Sequence, residues 1–524
     1  MKKVSNLVYM TEPELTFGSG QKADDPRDGL LLFGPNEKFD SLSLKAGVIG
    51  TKEGITSYSE FVKSLQSPMI SKKKMYGNEI EIESQRPSFP GFEATFGVKW
   101  NPTPELSIQI DDKELADLLK EKVKKKRTNK IVELYASKVL KARKDEDVRL
   151  DIWFVVVPRD IYLHCRFGSK GLDISKKLQS KIDALNQGQI GMFQDFDDEL
   201  RELDALKDDS SDFHNLLKAR LLQERVETPI QVIVETTLNF RDKLLNKKYT
   251  DDIKAHLAWT QSVAVYYKLG KLPWALNSIR DEVCYVGLVF KRISEKAENS
   301  SVCSAAQMFL KDGDGTIFRG NIGLFKSENS PDYHLDATNA EHLLGMALDD
   351  FKDKRGSYPA QLFVHGKVRF NDEEWRGFQN AVDIRGAETS LNGIVIKDTR
   401  SDPRKRLKLF KDTNGQKCEY GVMRGLGWIV DDQSAYLFTR GYIPRIDSTN
   451  HLEIANPLYV EINRGNEDIK TVLKDVLALT KLNYNACVYG DGLPVTLRFS
   501  DLIGNILTAT SEWQSEMRQF RYYI

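Results

Sequence analysis

Between Asp151 and Pro158 the chain runs Ile152-Trp153-Phe154-Val155-Val156-Val157, six apolar residues without a polar break. A strand with one face in water alternates apolar and polar side chains. An unbroken run of this length belongs instead to a strand covered on both faces, as in a parallel sheet sandwiched by helices. The segment 149–158 is therefore read as a buried strand. Gln231-Val232-Ile233-Val234 reads as a second, and Gly47-Val48-Ile49-Gly50-Thr51 as a short third, followed by a helix over about 57–65. With helices between and after these strands, the order is that of an open parallel sheet.

After Pro273-Trp274 the pattern changes, which places a boundary near Ser278 and divides the chain into 1–277 and 278–524. Strands are expected over 283–290, 304–310 and 317–324, the last two joined by Lys311-Asp312-Gly313-Asp314-Gly315, which has hairpin chemistry. A calcium loop there fails because the twelfth position from Asp312 is Gly323, where a bidentate Glu is needed. A helix over 337–351, a strand over 359–365, a helix over 372–382 and a strand over 393–397 come next. An antiparallel pair at 427–430 and 435–438, a strand over 457–462, a helix over 469–482 and a last helix from about Ser500 complete the chain. Three antiparallel strands, then a helix, then strands with helices between them, is the order of an RNase H-like fold.

Within 212–276 four polar residues are placed to act together. His214 and Lys218 are four apart on a helical segment, so they project from one face about a turn apart. Gln231 stands at the mouth of its strand, where a carboxamide can donate to an oxygen. Lys268 ends a helix expected over 252–267, just before the Gly270 that stops it, and a cation there also gains from the helix dipole. Each residue alone has a structural explanation. Together they suit a terminal phosphate.

The 524 residues provide for two or three domains, and 76 Lys+Arg balance 76 Asp+Glu, so nucleic-acid binding would have to come from local clusters. One is the run from Lys120 to Lys130, either a solvated helix end or a phosphate-backbone contact. Another is Arg400, Arg404, Lys405, Arg406, Lys408 and Lys411. The stretch 193–212 is an acidic, solvated insertion. No apolar run approaches the ~20 residues of a membrane span. The start lacks the apolar core of a signal peptide. The five cysteines are scattered and never spaced as CxxC, which points to a reducing cytoplasm without a zinc site or disulfides. GxGxxG after a strand, GxxxxGK[ST], GxSxG and HExxH are all absent.

The ordered set His214, Lys218, Gln231 and Lys268 resembles the guide 5′-end pocket in the MID domain of Argonaute proteins. The stretch Asp25-Pro26-Arg27-Asp28-Gly29-Leu30-Leu31-Leu32-Phe33-Gly34-Pro35, read locally as turn-strand-turn, resembles the opening of short prokaryotic Argonautes. Thr480-Lys481-Leu482-Asn483-Tyr484-Asn485 is similar to the PIWI segment that precedes the last catalytic position, and the end Tyr522-Tyr523-Ile524 is aromatic and apolar as in that family. The resemblance implies an α/β chain with a Rossmann-like MID domain followed by an RNase H-like PIWI domain.

It also implies where catalytic carboxylates would stand. The first slot holds Val289, the second Gly366 or Lys367, and only the last, Asp501, retains a carboxylate. Two-metal hydrolysis needs a cluster of carboxylates, and one cannot hold two metals. The expectation is a binding protein without nuclease chemistry, with Asp501 as a helix N-terminal acid. The alternative is an active metal-dependent nuclease using other carboxylates, for example Glu328 or Asp332.

By the same resemblance, Mg2+ bridges the guide phosphate and the C-terminal carboxylate of Ile524. Arg159, Arg166, Arg404, Lys405 and Arg406 are candidates for guide or target backbone. The resemblance implies a small RNA guide and a single-stranded DNA target, although no residue here separates RNA from DNA. The output belongs to a partner carrying an APAZ region fused to an effector, a TIR or sirtuin-like domain foremost, in prokaryotic defence against plasmids or phages.

Overall fold

The computed structural model describes residues 6–71, 74–76, 80–82, 87–145, 149–166, 212–277, 280, 282–292, 302–310, 313, 315–323, 333–399, 422–443, 455–509 and 517–524. The acidic stretch up to residue 211, the cluster containing Arg404, Lys405 and Arg406, and the alternative carboxylates Glu328 and Asp332 lie outside the described residues.

The first strand, Leu7–Tyr9 (β1), is followed by helix Pro26–Phe33 (α1). The expectation of turn-strand-turn for 25–35 is corrected here. Asp25 caps the helix by accepting from Arg27 N at 2.9 Å, and Pro26 sits in the first turn, where its missing N–H costs nothing. The apolar run misled because it does not go inside as a unit. Leu30 is buried, while Leu31 and Leu32 are 52% and 67% exposed.

Strands Ala46–Gly50 (β2), Leu106–Gln109 (β3), Ile152–Val157 (β4) and Ile230–Val234 (β5) form one parallel sheet in the order β5-β4-β2-β3. All six residues of β4 are buried, as the apolar run requires. The helix expected at 57–65 begins five residues earlier, at Lys52, because the Thr51 hydroxyl accepts from Gly54 N at 3.0 Å and fixes the start. On one face of the sheet helices Lys124–Asp145 (α2) and Phe213–Gln223 (α3) bury Tyr135, Val139, Leu217 and Leu221 against Val155 and Val157. On the other, helix Asp251–Lys268 (α4) packs Trp259 and Val263 in the cluster that holds Phe154 and Val156.

The second half is built on a ten-stranded sheet. Its members in chain order are β1, Val283–Arg292 (β6), Val302–Phe309 (β7), Gly315–Gly323 (β8), Gln361–Gly366 (β9), Ser390–Asp398 (β10), Leu426–Asp431 (β11), Ser434–Leu437 (β12), Leu458–Arg464 (β13) and Met517–Gln519 (β14). In space the order is β1-β11-β12-β13-β10-β9-β6-β7-β8-β14. The meander β6-β7-β8 is antiparallel, and β9 and β10 then join in parallel, the expected RNase H-like sequence. Helices Ala337–Arg355 (α5) and Asp372–Ile384 (α6) cover one face, and Ile469–Leu479 (α7) lies in the cluster on the other.

The segments before and after residue 277 are interlaced. β1 pairs with β11 in the second half's sheet, Leu7 opposite Trp428. One hydrophobic cluster runs from Met10 to Ile524 through both halves. Glu12 meets two buried cations of the second half, Arg424 at 3.0 Å and Lys481 at 2.5 Å. Among the described residues no helix is long and apolar enough to cross a membrane.

Candidate functional site

The four polar residues chosen from the sequence, together with Ile524, line a single cavity of about 310 Å³. Asp212 caps α3 by accepting from Asn215 N at 3.1 Å, which sets the helix so that His214 and Lys218 face the cavity one turn apart. Gln231 is the second residue of β5, and Lys268 the last of α4. The chain leaves α4 through Gly270, whose φ of +94° suits glycine and whose missing side chain admits Arg521, since a Cβ there would lie 2.1 Å from its Nη1. Asn485, Leu502 and Ile524 close the cavity from the second half.

Inside, Lys268 Nζ donates to Gln231 Oε1, and Gln231 Nε2 donates to Gln261 Oε1 at 3.4 Å. Lys218 Nζ donates to the main-chain oxygens of Tyr523 at 3.0 Å and Ile524 at 2.6 Å. His214 Nδ1 lies 3.1 Å from Asn215 Oδ1. The acidic side chain in the lining, Asp242, accepts from Leu244 N and Leu245 N at 2.9 and 2.6 Å.

Lys218, Lys268 and His214, with Lys243 also in the lining, thus share a recessed space in which burial penalises charge. Burial lowers Lys268 to about 7. Burial, then the neighbouring Lys268, holds Lys218 well below the usual lysine range, and burial, then Lys218, lowers His214 to about 3. An anion entering the cavity would meet preplaced donors and would relieve the repulsion between them.

The other sequence candidates are placed differently. Arg159, read as a possible guide contact, directs its guanidinium to the carbonyls of Lys243 at 3.0 Å and Leu244 at 2.5 Å, where it braces the cavity wall. Arg166 lies over the Tyr162 ring, 4.8 Å from its centroid. In the Lys120–Lys130 run, Lys120 pairs with Asp117 and Lys130 with Glu121 at the surface, and Arg127 donates to the carbonyls of Glu121 and His164.

Val289 lies on β6 opposite Ala305, Gly366 ends β9 with Lys367 next, and Asp501 is the second residue of helix Ser500–Thr508 (α8). The side chains of Val289 and Asp501 lie outside the described set. Beside these positions Thr496 packs directly on the sheet. A Cβ at Gly287 would lie 1.9 Å from Thr496 O, and buried His365 Nδ1 sits 2.8 Å from Thr496 Oγ1. Among the described residues there is no group of three or more His, Cys, Asp or Glu placed to hold a metal ion.

Sequence reasoning missed Gln261, which orients Gln231, and the hydroxyls of Thr237 and Thr260, which line the cavity without a hydrogen-bond partner. Gln261 had a usable signal, since it lies on the same helix as Lys268 two turns before it. The two threonines had none.

No protein-family model and no curated protein matches the sequence. Solved structures do. Clostridium butyricum Argonaute bound to a guide DNA (5′ deoxycytidine) and a 19-mer target DNA is similar with a TM-score of 0.63 and 15% identity, over 99% of this chain and 54% of that one. A. aeolicus Argonaute gives 0.53 and 15%, over 99% and 55%. Aa-Ago with externally bound siRNA gives 0.55 and 15%, over 99% and 56%. The chain spans about half the length of the structures it matches. At this identity the likeness is one of fold.

Proposed function

We propose that this chain, which has the MID-PIWI fold of an Argonaute, is a guide-binding subunit that takes the 5′-phosphate of a small RNA between His214, Lys218, Gln231 and Lys268. The guide, held at that end, presents its bases for pairing with complementary single-stranded DNA, so that base pairing and not the protein reads sequence. The observation that carries this reading is the convergence of the four side chains, from two helices and a strand, on one cavity.

The subunit binds and does not cut, since Val289, Gly366 and Lys367 occupy slots that would need carboxylates. The output comes from an APAZ-containing partner, a TIR or sirtuin-like effector, in cytoplasmic defence against plasmids or phages. That part rests on the resemblance of the sequence to short prokaryotic Argonautes. By the same resemblance, the terminal carboxylate of Ile524 would hold a magnesium ion, which would ease repulsion between that carboxylate and the guide phosphate.

The test is a pair of RNAs of one sequence, one with a 5′-phosphate and one with a 5′-hydroxyl. The phosphorylated RNA binds about tenfold or more tightly, the value of one charge-assisted contact. Equal affinities would discard the reading.

A further inference from the structure

The segment 517–524 reaches the cavity at one end and the outermost strand of the ten-stranded sheet at the other. Lys218 holds its cavity end through the carbonyl of Tyr523 and a terminal carboxylate oxygen of Ile524. At its far end β14 pairs with β8, Thr316 opposite Gln519, Ile317 opposite Arg518 and Phe318 opposite Met517. We infer that this segment links the two places, so that an anion in the cavity stiffens the β8-β14 edge and a docked edge in turn favours the anion. The inference rests on reading the cavity as a phosphate site.

Lys218 is the junction. An ammonium has three N–H donors, and two go to the segment, which leaves one for a ligand in the cavity it lines. A phosphate on the third completes the ammonium's set of acceptors and fixes the side chain that holds the segment. The same lysine therefore gives the segment a more rigid anchor when the cavity is filled.

Between the two ends the segment has little freedom to absorb the change. Tyr523 N donates to Phe520 O at 3.0 Å. Phe520 is buried edge-on to Phe309 and Phe499, with ring centroids 5.0 and 5.2 Å apart. Gly315 at the start of β8 permits that seat, since a Cβ there would lie 2.8 Å from Phe520 Cβ. Arg521 is seated on Gly270, just past Lys268. The strand it carries is the kind that opens easily, three residues long and, among the described residues, paired on one side only. Its protection depends on what anchors it.

Amide hydrogen exchange of the full chain reads the coupling, with the free protein, the 5′-phosphorylated RNA and the 5′-hydroxyl RNA compared at equal occupancy. Amides of 316–318 and 517–519 should exchange about fivefold or more slowly with the phosphorylated RNA than with the hydroxyl one, a modest coupling for linked sites. Equal protection by the two overturns the link. Gly315→Ala, outside the cavity, should loosen 517–519 and lower the preference for the phosphorylated end by a similar factor of about five, because linkage is reciprocal. A loosened edge with an undiminished preference overturns it as well. A wild-type chain with no such preference defeats the phosphate reading itself, whereas a preference without edge protection defeats the link alone.

Discussion

Lys268 and Gln231, 37 positions apart, meet at a hydrogen bond inside the cavity, ammonium to carboxamide oxygen, with no carboxylate in the pair. A buried lysine that settles for a neutral partner retains unused capacity for an anion.

Removing either lysine should act on the phosphate and not on the rest of the guide. Lys268→Met and Lys218→Met are each expected to lose about 1.5–3 kcal/mol of binding to a 5′-phosphorylated RNA, roughly 10- to 150-fold. Affinity for the 5′-hydroxyl RNA should change little. Titrations of both RNAs against both variants check this, and an equal loss on the two RNAs would place the lysines elsewhere.

The pH dependence follows from Lys268, lowered by burial to about 7 in the free protein. Above that pH the free lysine is neutral, and a bound phosphate must draw a proton onto it. Affinity for the phosphorylated RNA should fall as pH rises from 7 to 9, approaching about tenfold per unit for one proton taken up. Lys268→Arg keeps its charge across this range, so the slope should flatten. A wild-type affinity constant from pH 7 to 9 contradicts the assignment.

His365 ties stability to acid. Burial holds its folded value at about 3, against about 6.5 in the unfolded chain. The unfolded state therefore takes up a proton that the folded state refuses. Stability is complete above pH 6.5 and is lost as pH falls toward 3, about 2 kcal/mol of it by pH 5. Urea unfolding of the wild type and of His365→Asn at pH 7 and 5 isolates this share, which the variant should lack.

Glu12→Ala should be costly for the fold. It leaves Arg424 and Lys481, both buried, without their shared carboxylate, a loss of about 3–5 kcal/mol by comparison with other broken buried pairs. Because burial holds Lys481 at about 8, the penalty should shrink at pH 9, where that lysine can shed its proton. Denaturant midpoints at pH 7 and 9 would expose a variant that behaves like the wild type.

With guide, complementary DNA, and magnesium or manganese, no cut at a fixed position is expected. A single guide-directed product on a denaturing gel would establish carboxylates outside the slots held by Val289, Gly366 and Lys367.

The central strands and the cavity were legible because local patterns carry them. The unbroken run 152–157 could only be a doubly covered strand, and a four-residue spacing with a cap at Asp212 puts His214 and Lys218 on one side of a helix. What was illegible depends on partners far away in the chain. β1 is three residues long, too short for any periodicity, and owes its existence to Leu426–Trp428, more than 400 positions on. Arg159 looked available for nucleic acid because nothing near it in sequence reveals the two carbonyls, 84 and 85 positions later, that hold it. In α1 local signals conflicted, and the Asp-Pro start outweighed a run of leucines.

The interlacing at residue 277 bears on how the molecule can be taken apart. A fragment stopping there would carry off β1 and leave β11 with a bare flank, while the complementary fragment would expose Tyr523 and Ile524 with no Lys218 to receive them. Neither piece is a ready-made unit, so the halves should be recoverable only when made together, as partners re-forming one body.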